Sequence, residues 1–277
     1  MASPSIVQAL PYVNWIVLVT LAVGSFAYAA LARQVSDVTR GYAGFSAFAA
    51  ALLAMLALAS DFGLPPPADL AIASATGEVE ALRRVALAAF IVAAVLYVIM
   101  LRRDARTLPI AALTISSAAI LLLAAAVGWA PTLADSLPLL VQLSVLSAAA
   151  GGSLASLILG HWYLVTPRLS ERPLVLLTRL LTLTVTLQLA LFVIWTTIAG
   201  GPGQGAFDAF AGDSVVYVVL RLVVSLLFPL VLTYMAWRTA ATRSMESATG
   251  LLYIDLAAIL AGTIGAAALY VSAGLLV

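Results

Sequence analysis

Long apolar runs recur along the whole sequence and constrain the fold more than any other feature. Each run is about 20 residues long, which is the length that a helix needs to cross the hydrocarbon core of a bilayer. Hydrophobic residues make up 64% of the chain and charged residues 9%, whereas soluble domains carry about 25% charged residues. Backbone groups in lipid must be hydrogen-bonded within the protein, which favours helices. The sequence therefore predicts an all-α, polytopic membrane protein.

Polar breaks between the runs divide the chain into eight transmembrane helices. Together they form one integral membrane domain that covers residues 1–277. Pro229 lies near the middle of the seventh helix and predicts a kink there. The predicted helices span residues 13–32, 42–59, 84–101, 109–129, 139–165, 173–199, 215–237 and 251–277.

Two connections have unusual compositions. The segment 60–82 is the longest and contains Pro65, Pro66 and Pro67, which predict a stiff, extended start. The segment 200–214 is rich in glycine, yet it has no lysine and follows no strand, so it lacks the context of a phosphate-binding loop. We expect it to be a flexible surface connection.

The distribution of arginine predicts the orientation in the membrane. All 13 basic residues are arginine, and most of them lie in the connections after helices 1, 3, 5 and 7. The positive-inside rule places these connections in the cytoplasm. We therefore expect a protein of the cell membrane, the inner membrane where there are two, with its N-terminus and C-terminus outside. The arginines of these four connections are Arg33, Arg40, Arg102, Arg103, Arg106, Arg168, Arg172, Arg238 and Arg243.

The two halves of the chain have the same predicted orientation. Residues 1–135 and 136–277 would then be two parallel repeats of four helices. Gly24 precedes Arg33 by the same spacing with which Gly152 precedes His161. The alternative is a single eight-helix bundle without duplication, because chance matches are common in so biased a composition.

The fifth predicted helix has a stripe of small residues that leads to the only histidine of the chain, His161. Ala148, Gly152, Ser156 and Gly160 recur at every fourth position, and such a stripe lets the backbone of another helix approach closely. We therefore expect this helix to lie at the centre of the bundle.

Four ionisable residues stand out within the predicted helices, where charged groups are costly and mark functional candidates. His161 lies at the cytoplasmic end of helix 5, and Arg179 and Asp255 each lie about 9 Å in from the same side. The sequence therefore predicts that His161, Arg179 and Asp255 are the catalytic residues of a proton-active polar pocket near the cytoplasm. Arg221 lies apart, about 10 Å from the outer face.

Each residue of this predicted pocket suits a step of proton chemistry. His161 can donate or accept a proton, Asp255 can relay a proton, and Arg179 can bind an anionic or carbonyl group. The structural alternatives are an Arg179–Asp255 pair that neutralises two buried charges and a His161 that anchors the helix at the interface. Arg221 can also extend outward to the interface.

The function that this pattern favours is an integral membrane subunit of an electron-transfer complex that interacts with a quinone. A quinone needs hydrogen-bond donors, a proton route and an apolar slot, and Trp162, Tyr163 and Tyr253 are the expected cofactor-binding residues. The layout resembles, in topology, the eight-helix, two-by-four integral subunits of the polysulfide- and dimethyl-sulfoxide-reductase type. That resemblance implies protein partners in the membrane and enzymatic activity only as part of an oxidoreductase complex.

Two alternative functions differ in whether they need these polar residues: the first uses them, and the second uses none of them. One is a small proton-coupled transporter or channel, and the other is a non-catalytic assembly subunit, with a homo-oligomer as the alternative to protein partners. The chain has no Cys and one His, which excludes cysteine-ligated clusters and a bis-histidine haem within the chain. The lack of lysine excludes a Schiff base. We expect the lipid bilayer as a partner, and neither a metal site nor nucleic acid.

Overall fold

The computed structural model describes residues 6–68, 70–103, 105–166, 168–198, 205, 207–210 and 215–277. Within these residues the chain is all-helical, with eight helices that are long and apolar enough to cross a membrane. The number and order of the helices confirm the prediction from the sequence. The helices are α1 Ile6–Val35, α2 Arg40–Asp61, α3 Gly77–Arg102, α4 Leu108–Trp129, α5 Leu133–Val165, α6 Arg172–Ile198, α7 Val215–Ala241 and α8 Met245–Ala273.

Several helices begin before the start that the apolar pattern predicted, because their first turns are polar. α3 begins at Gly77 and carries Glu78 and Glu80 in its first turn, where acidic groups favour the helix dipole. The side-chain oxygen of Thr76 accepts a hydrogen bond from the backbone N–H of Val79 at 3.4 Å, which caps this helix. Polar capped turns extend the helices beyond their apolar runs.

α7 changes to a π-helical turn over Val223–Leu227. Pro229 lies just beyond this turn and has no N–H to donate to the preceding helical turn. The backbone N–H of Phe228 bonds instead to the carbonyl of Val223, which is the spacing of a π-helix. The irregularity that Pro229 causes therefore includes a wider helical turn as well as the loss of one hydrogen bond.

α1 and α5 form the centre of the bundle and make the most extensive helix–helix contact in the described part of the chain. Their backbones touch where Gly24 meets Gly151, and a Cβ atom at either position would overlap the opposite backbone. The ring of Tyr28 packs directly against Gly152. Small residues therefore set the distance between the two central helices.

Several helix contacts have counterparts under exchange of α1–α4 with α5–α8, although α5 packs more extensively on α8 than α1 does on α4. The two central helices, α1 and α5, contact each other. The contact of α1 with α8 corresponds to that of α5 with α4, and the contact of α2 with α5 corresponds to that of α6 with α1. Two parallel repeats related by an axis along the membrane normal would have this pattern. The division into halves 1–135 and 136–277 stays a prediction.

The outer surface of the helices is covered by large apolar side chains. Val85, Val92, Leu56 and Leu183 are each more than half exposed, although they lie within the spanning helices. An apolar surface of this extent is suited to hydrocarbon rather than to water. The helical bundle is therefore in contact with a lipid bilayer.

The two ends of the bundle hold different connections. We call the end that holds the α1–α2, α3–α4, α5–α6 and α7–α8 connections the arginine-rich end, and the opposite end the terminal end. At the arginine-rich end, Arg243 lies 3.3 Å from Glu171, which joins the α5–α6 and α7–α8 connections. At the terminal end, the proline-containing connection after α2 bonds to α8 through the N–H of Ala71 and the carbonyl of Val271 at 2.9 Å.

A buried ion cluster holds α2 and α3 together at the terminal end. Arg83 is 1% exposed and donates to both carboxylate oxygens of Asp61, at 2.8 and 3.2 Å. Arg84 donates a third hydrogen bond to Asp61 at 2.7 Å, and the rings of Trp15 and Trp129 both face the guanidinium of Arg83. The sequence prediction had placed Asp61 in the connection after the second helix and Arg84 at the start of the third; Asp61 lies in the last turn of α2, and both arginines lie inside α3.

Most of the glycine-rich segment 200–214, which we expected to be a flexible surface connection, lies outside the described residues. Its described part packs onto α6. The N–H of Phe207 donates to the carbonyl of Thr196 at 2.8 Å, and the rings of Phe210 and Phe192 meet edge to face with centroids 6.2 Å apart.

Candidate functional site

Asp255 is buried between α8 and α5. Its side chain is 0% exposed, and Oδ2 accepts a 2.8 Å hydrogen bond from Oγ of Ser153. Oδ1 is buried and has no hydrogen-bond partner, and within the described residues Asp255 forms no ion pair. A carboxyl group inside a membrane without a cation beside it costs free energy and is a functional candidate for that reason.

Asp255 lies in the half of the membrane that is nearer to the arginine-rich end. α8 begins at Met245, which places Asp255 about 15 Å along the helix axis. α8 has 29 residues and is about 44 Å long, whereas the hydrocarbon core is about 30 Å thick, so about 7 Å projects at each end and Asp255 lies about 8 Å below the boundary of the core. The prediction had counted from about Thr249 and had placed Asp255 about 9 Å in from the same side.

Small and hydroxyl-bearing residues continue from Asp255 toward the arginine-rich end along the α5–α8 interface. Ser156 lies one turn beyond Ser153 on the same face of α5, and its buried Oγ has no hydrogen-bond partner. One turn further, Gly160 lies so close to Thr249 of α8 that an added Cβ would be 2.7 Å from the hydroxyl oxygen. The interface therefore carries side-chain oxygens on both sides.

The predicted pocket of His161, Arg179 and Asp255 does not form, so the convergence predicted from the sequence is wrong. His161 is exposed and lies about 12 Å along α5 from Ser153, which holds Asp255. Arg179 is exposed on α6, with its guanidinium 5.7 Å from the ring centroid of Trp237. Arg179 faces outward and stacks on an aromatic ring near the end of α7, which suits an interfacial anchor.

The three expected cofactor-binding aromatic residues occupy three different environments. Tyr163 is buried, and its hydroxyl donates to the carbonyl of Ser170 at 2.5 Å, which fixes the α5–α6 connection. Tyr253 is 54% exposed on the outside of α8. Trp162 is half-buried and lines a groove. Tyr253 borders neither of the two grooves at the arginine-rich end, Tyr163 borders one of about 390 Å³, and Trp162 borders a larger one.

This groove of about 500 Å³ lies at the arginine-rich end, between α2, α3 and the end of α5. The ring of Trp162 packs against Gly41, where an added Cβ would lie 2.6 Å from a ring carbon. Phe45 forms part of the apolar wall, and Arg40 and Arg102 bring guanidinium groups to the groove. Apolar walls with a few donors are the usual composition of a ligand site. Within the described residues, no group of three His, Asp or Glu side chains is placed to hold a metal ion.

Arg221 is a buried charge that the sequence identified but assigned to no site. It is 4% exposed, and its Nε has no hydrogen-bond partner. Its guanidinium lies against Gly262 of α8, where an added Cβ would be 2.5 Å from Nη1. The sequence signal was the small residue at 262, which leaves room for the guanidinium; the outward orientation that the sequence allowed is wrong.

Comparisons with known proteins give no indication of the function of this chain. No family model matches the chain, and neither a curated protein nor a solved structure matches it. What is established is a membrane-embedded bundle of eight helices, in which Asp255 is a buried carboxyl group without an ion pair among the described residues.

Proposed function

We propose that this protein is an integral membrane subunit of an electron-transfer complex and that it handles the protons of a lipid-soluble quinone. Asp255 is the proton-active residue of this proposal. The observation that carries it is the environment of Asp255: one oxygen accepts a hydrogen bond from Ser153, and the other has no partner. Such a carboxyl group can gain or lose a proton without breaking an ion pair.

The structural alternative for Asp255 was a charge-neutralising pair with Arg179. Arg179 stacks on Trp237 instead, and a buried carboxyl group with a single hydroxyl donor contributes little to stability. A purely structural role would be filled at lower cost by an apolar residue of similar size. The burial of Asp255 without an ion pair therefore favours a functional role for this residue.

The groove beside Trp162 is the proposed quinone site. Its apolar and aromatic walls suit the ring of a quinone, and the guanidinium groups of Arg40 and Arg102 are hydrogen-bond donors for carbonyl oxygens. Reduction of a quinone to a quinol takes up two electrons and two protons. In the proposal a partner subunit supplies the electrons. Protons move between Asp255 and the arginine-rich end along the hydroxyl groups of Ser156 and Thr249.

A proton-coupled transporter is the second candidate function. The π-helical turn Val223–Leu227 and Pro229 interrupt α7, which packs against the helix that carries Asp255. Broken helices beside a buried charge are typical of transporters. In this alternative Asp255 is the coupling residue, and no redox partner is required.

The test is purification from native membranes in a mild detergent, followed by identification of bound proteins and extraction of bound quinone. The electron-transfer proposal expects redox subunits and quinone in the same particle. It also expects that Asp255→Asn greatly slows quinone-dependent proton uptake by the reconstituted complex. The matched control is Asp37→Asn, which removes the same charge at an exposed position in the α1–α2 connection.

The two candidate functions give opposite results in this experiment. A protein that purifies alone, binds no quinone and moves a solute with protons in liposomes would contradict the electron-transfer proposal and support the transporter. Unchanged proton uptake in Asp255→Asn, with normal amounts of protein, would remove Asp255 from either mechanism.

A further inference from the structure

A buried arginine without an acidic partner lies within the membrane-spanning part of α7. Arg221 is buried, with a relative exposure of 4%. Its Nε has no hydrogen-bond partner, and among the described residues it forms no ion pair. An unpaired guanidinium in hydrocarbon is costly and normally finds a carboxylate, a carbonyl or an anionic ligand. We therefore expect the guanidinium of Arg221 to bind a group that is not among the described residues.

The guanidinium borders a groove between α7 and α8 with a volume of about 460 Å³. Its walls are apolar and include Leu220, Val224 and Ile264, each of which is at least 40% exposed on the outside of the bundle. Ser225 adds a hydroxyl group beside Arg221. A groove with hydrocarbon walls and one cation matches a molecule that has an apolar chain and an anionic head.

The depth of Arg221 indicates which part of a lipid it meets. α7 has 27 residues and is about 40 Å long, whereas the hydrocarbon core is about 30 Å thick, so about 5 Å projects at each end. Arg221 lies about 9 Å from Val215, the first residue of α7, and thus about 4 Å below the headgroup boundary. A headgroup phosphate can descend that far.

We propose that the groove between α7 and α8 binds a phospholipid with a net negative headgroup, in the leaflet at the terminal end, with Arg221 as the residue that binds its phosphate. Arginine suits this role because its planar guanidinium can donate two parallel hydrogen bonds to phosphate oxygens. Gly262 is part of the site, since the space above its Cα holds the guanidinium. The site is separate from Asp255 and does not depend on the proposed electron-transfer function.

Native mass spectrometry of the delipidated, detergent-solubilised full-length protein tests the proposal, with phosphatidylglycerol, phosphatidylcholine and oleate as probes. The wild-type protein is expected to bind phosphatidylglycerol at least about tenfold more tightly than phosphatidylcholine. Arg221→Gln is expected to lose about this factor, because a charge-assisted hydrogen bond is removed. The control is Arg238→Gln, which changes an exposed arginine near the other end of the same helix and is expected to retain the preference.

Two further variants keep the proposal testable if Arg221→Gln fails to fold. Gly262→Ala crowds the guanidinium and is expected to weaken phosphatidylglycerol binding, and Arg221→Lys is expected to bind with intermediate affinity. Equal binding of phosphatidylglycerol and phosphatidylcholine by the wild-type protein would overturn the proposal. So would a phosphatidylglycerol affinity that is the same in wild type, Gly262→Ala and Arg221→Lys, or tight binding of oleate without binding of phosphatidylglycerol.

Discussion

Gly24 of α1 and Gly151 of α5 bring the two central helices into direct backbone contact. An added Cβ at Gly24 would overlap the carbonyl oxygen of Ser147, and one at Gly151 would overlap the backbone N of Ser25. Both positions lie in the middle of their helices, so the crossing fixes the geometry of the whole core. The interface that holds Asp255 depends on the placement of α5 at this crossing.

Gly24→Ala is expected to destabilise the protein, because one methyl group forces the central helices apart. Overpacking of a core typically costs about 1–3 kcal/mol. The measurement is thermal unfolding of the purified protein in detergent. The control is Gly250→Ala in α8, where an added Cβ meets nothing within 4 Å and a helical alanine is expected to stabilise slightly. Equal melting temperatures for the two variants would contradict the proposed crossing.

Asp61→Ala is expected to destabilise the protein strongly, because it leaves Arg83 buried without its carboxylate. Breaking a buried ion pair by removing one partner typically costs about 3–5 kcal/mol. The matched variant is Glu80→Ala, whose carboxylate is 40% exposed and lies 3.6 Å from Arg84; an exposed pair of this kind contributes about 0–1 kcal/mol. Chemical unfolding should separate the two variants clearly, and similar losses would argue against a structural role for the buried cluster.

Tyr163→Phe is expected to lower stability by about 0.5–1.5 kcal/mol, because it removes the hydrogen bond to the carbonyl of Ser170. Tyr253→Phe is the control, since this side chain is exposed on the outside of α8. Thermal unfolding and quinone binding should be measured for both variants. A loss of quinone binding in Tyr253→Phe with unchanged stability would restore Tyr253 as a cofactor-binding residue.

The predicted orientation can be tested by cysteine labelling, because the chain has no cysteine of its own. Asp37→Cys places a thiol in the exposed α1–α2 connection, and Gly63→Cys places one after α2 at the other end of the bundle. A membrane-impermeant maleimide added to intact cells is expected to label Gly63→Cys and to spare Asp37→Cys, whereas both should react after lysis. The reverse pattern in intact cells would place the termini in the cytoplasm.

The sequence was sufficient to predict the helices but not the faces that they bury. Eight apolar runs specify eight spans because the bilayer requires about 20 apolar residues for each. A helix that is apolar on all sides, such as α8, has no polar stripe that indicates which face is inside. The outward position of Arg179 on α6 and the inward position of Arg221 on α7 depend on how the helices pack, which the apolar runs alone do not specify.

The candidate site could be predicted only in part for a related reason. The rule that charges within spans are functional candidates identified Asp255. Its hydrogen bond with Ser153 joins residues that are distant in sequence and depends on the packing of α5 against α8.

Quinol-induced infrared difference spectroscopy of the purified complex tests most directly whether Asp255 exchanges protons during turnover. If Asp255 exchanges protons, a carboxyl band is expected to appear on addition of quinol and to be lost in Asp255→Asn. The band is expected to be shifted in Ser153→Ala, because this serine donates to Oδ2 of Asp255. Asp37→Asn should leave the band unchanged. A difference spectrum that is the same in the wild-type protein and Asp255→Asn would contradict the proposed proton exchange by Asp255.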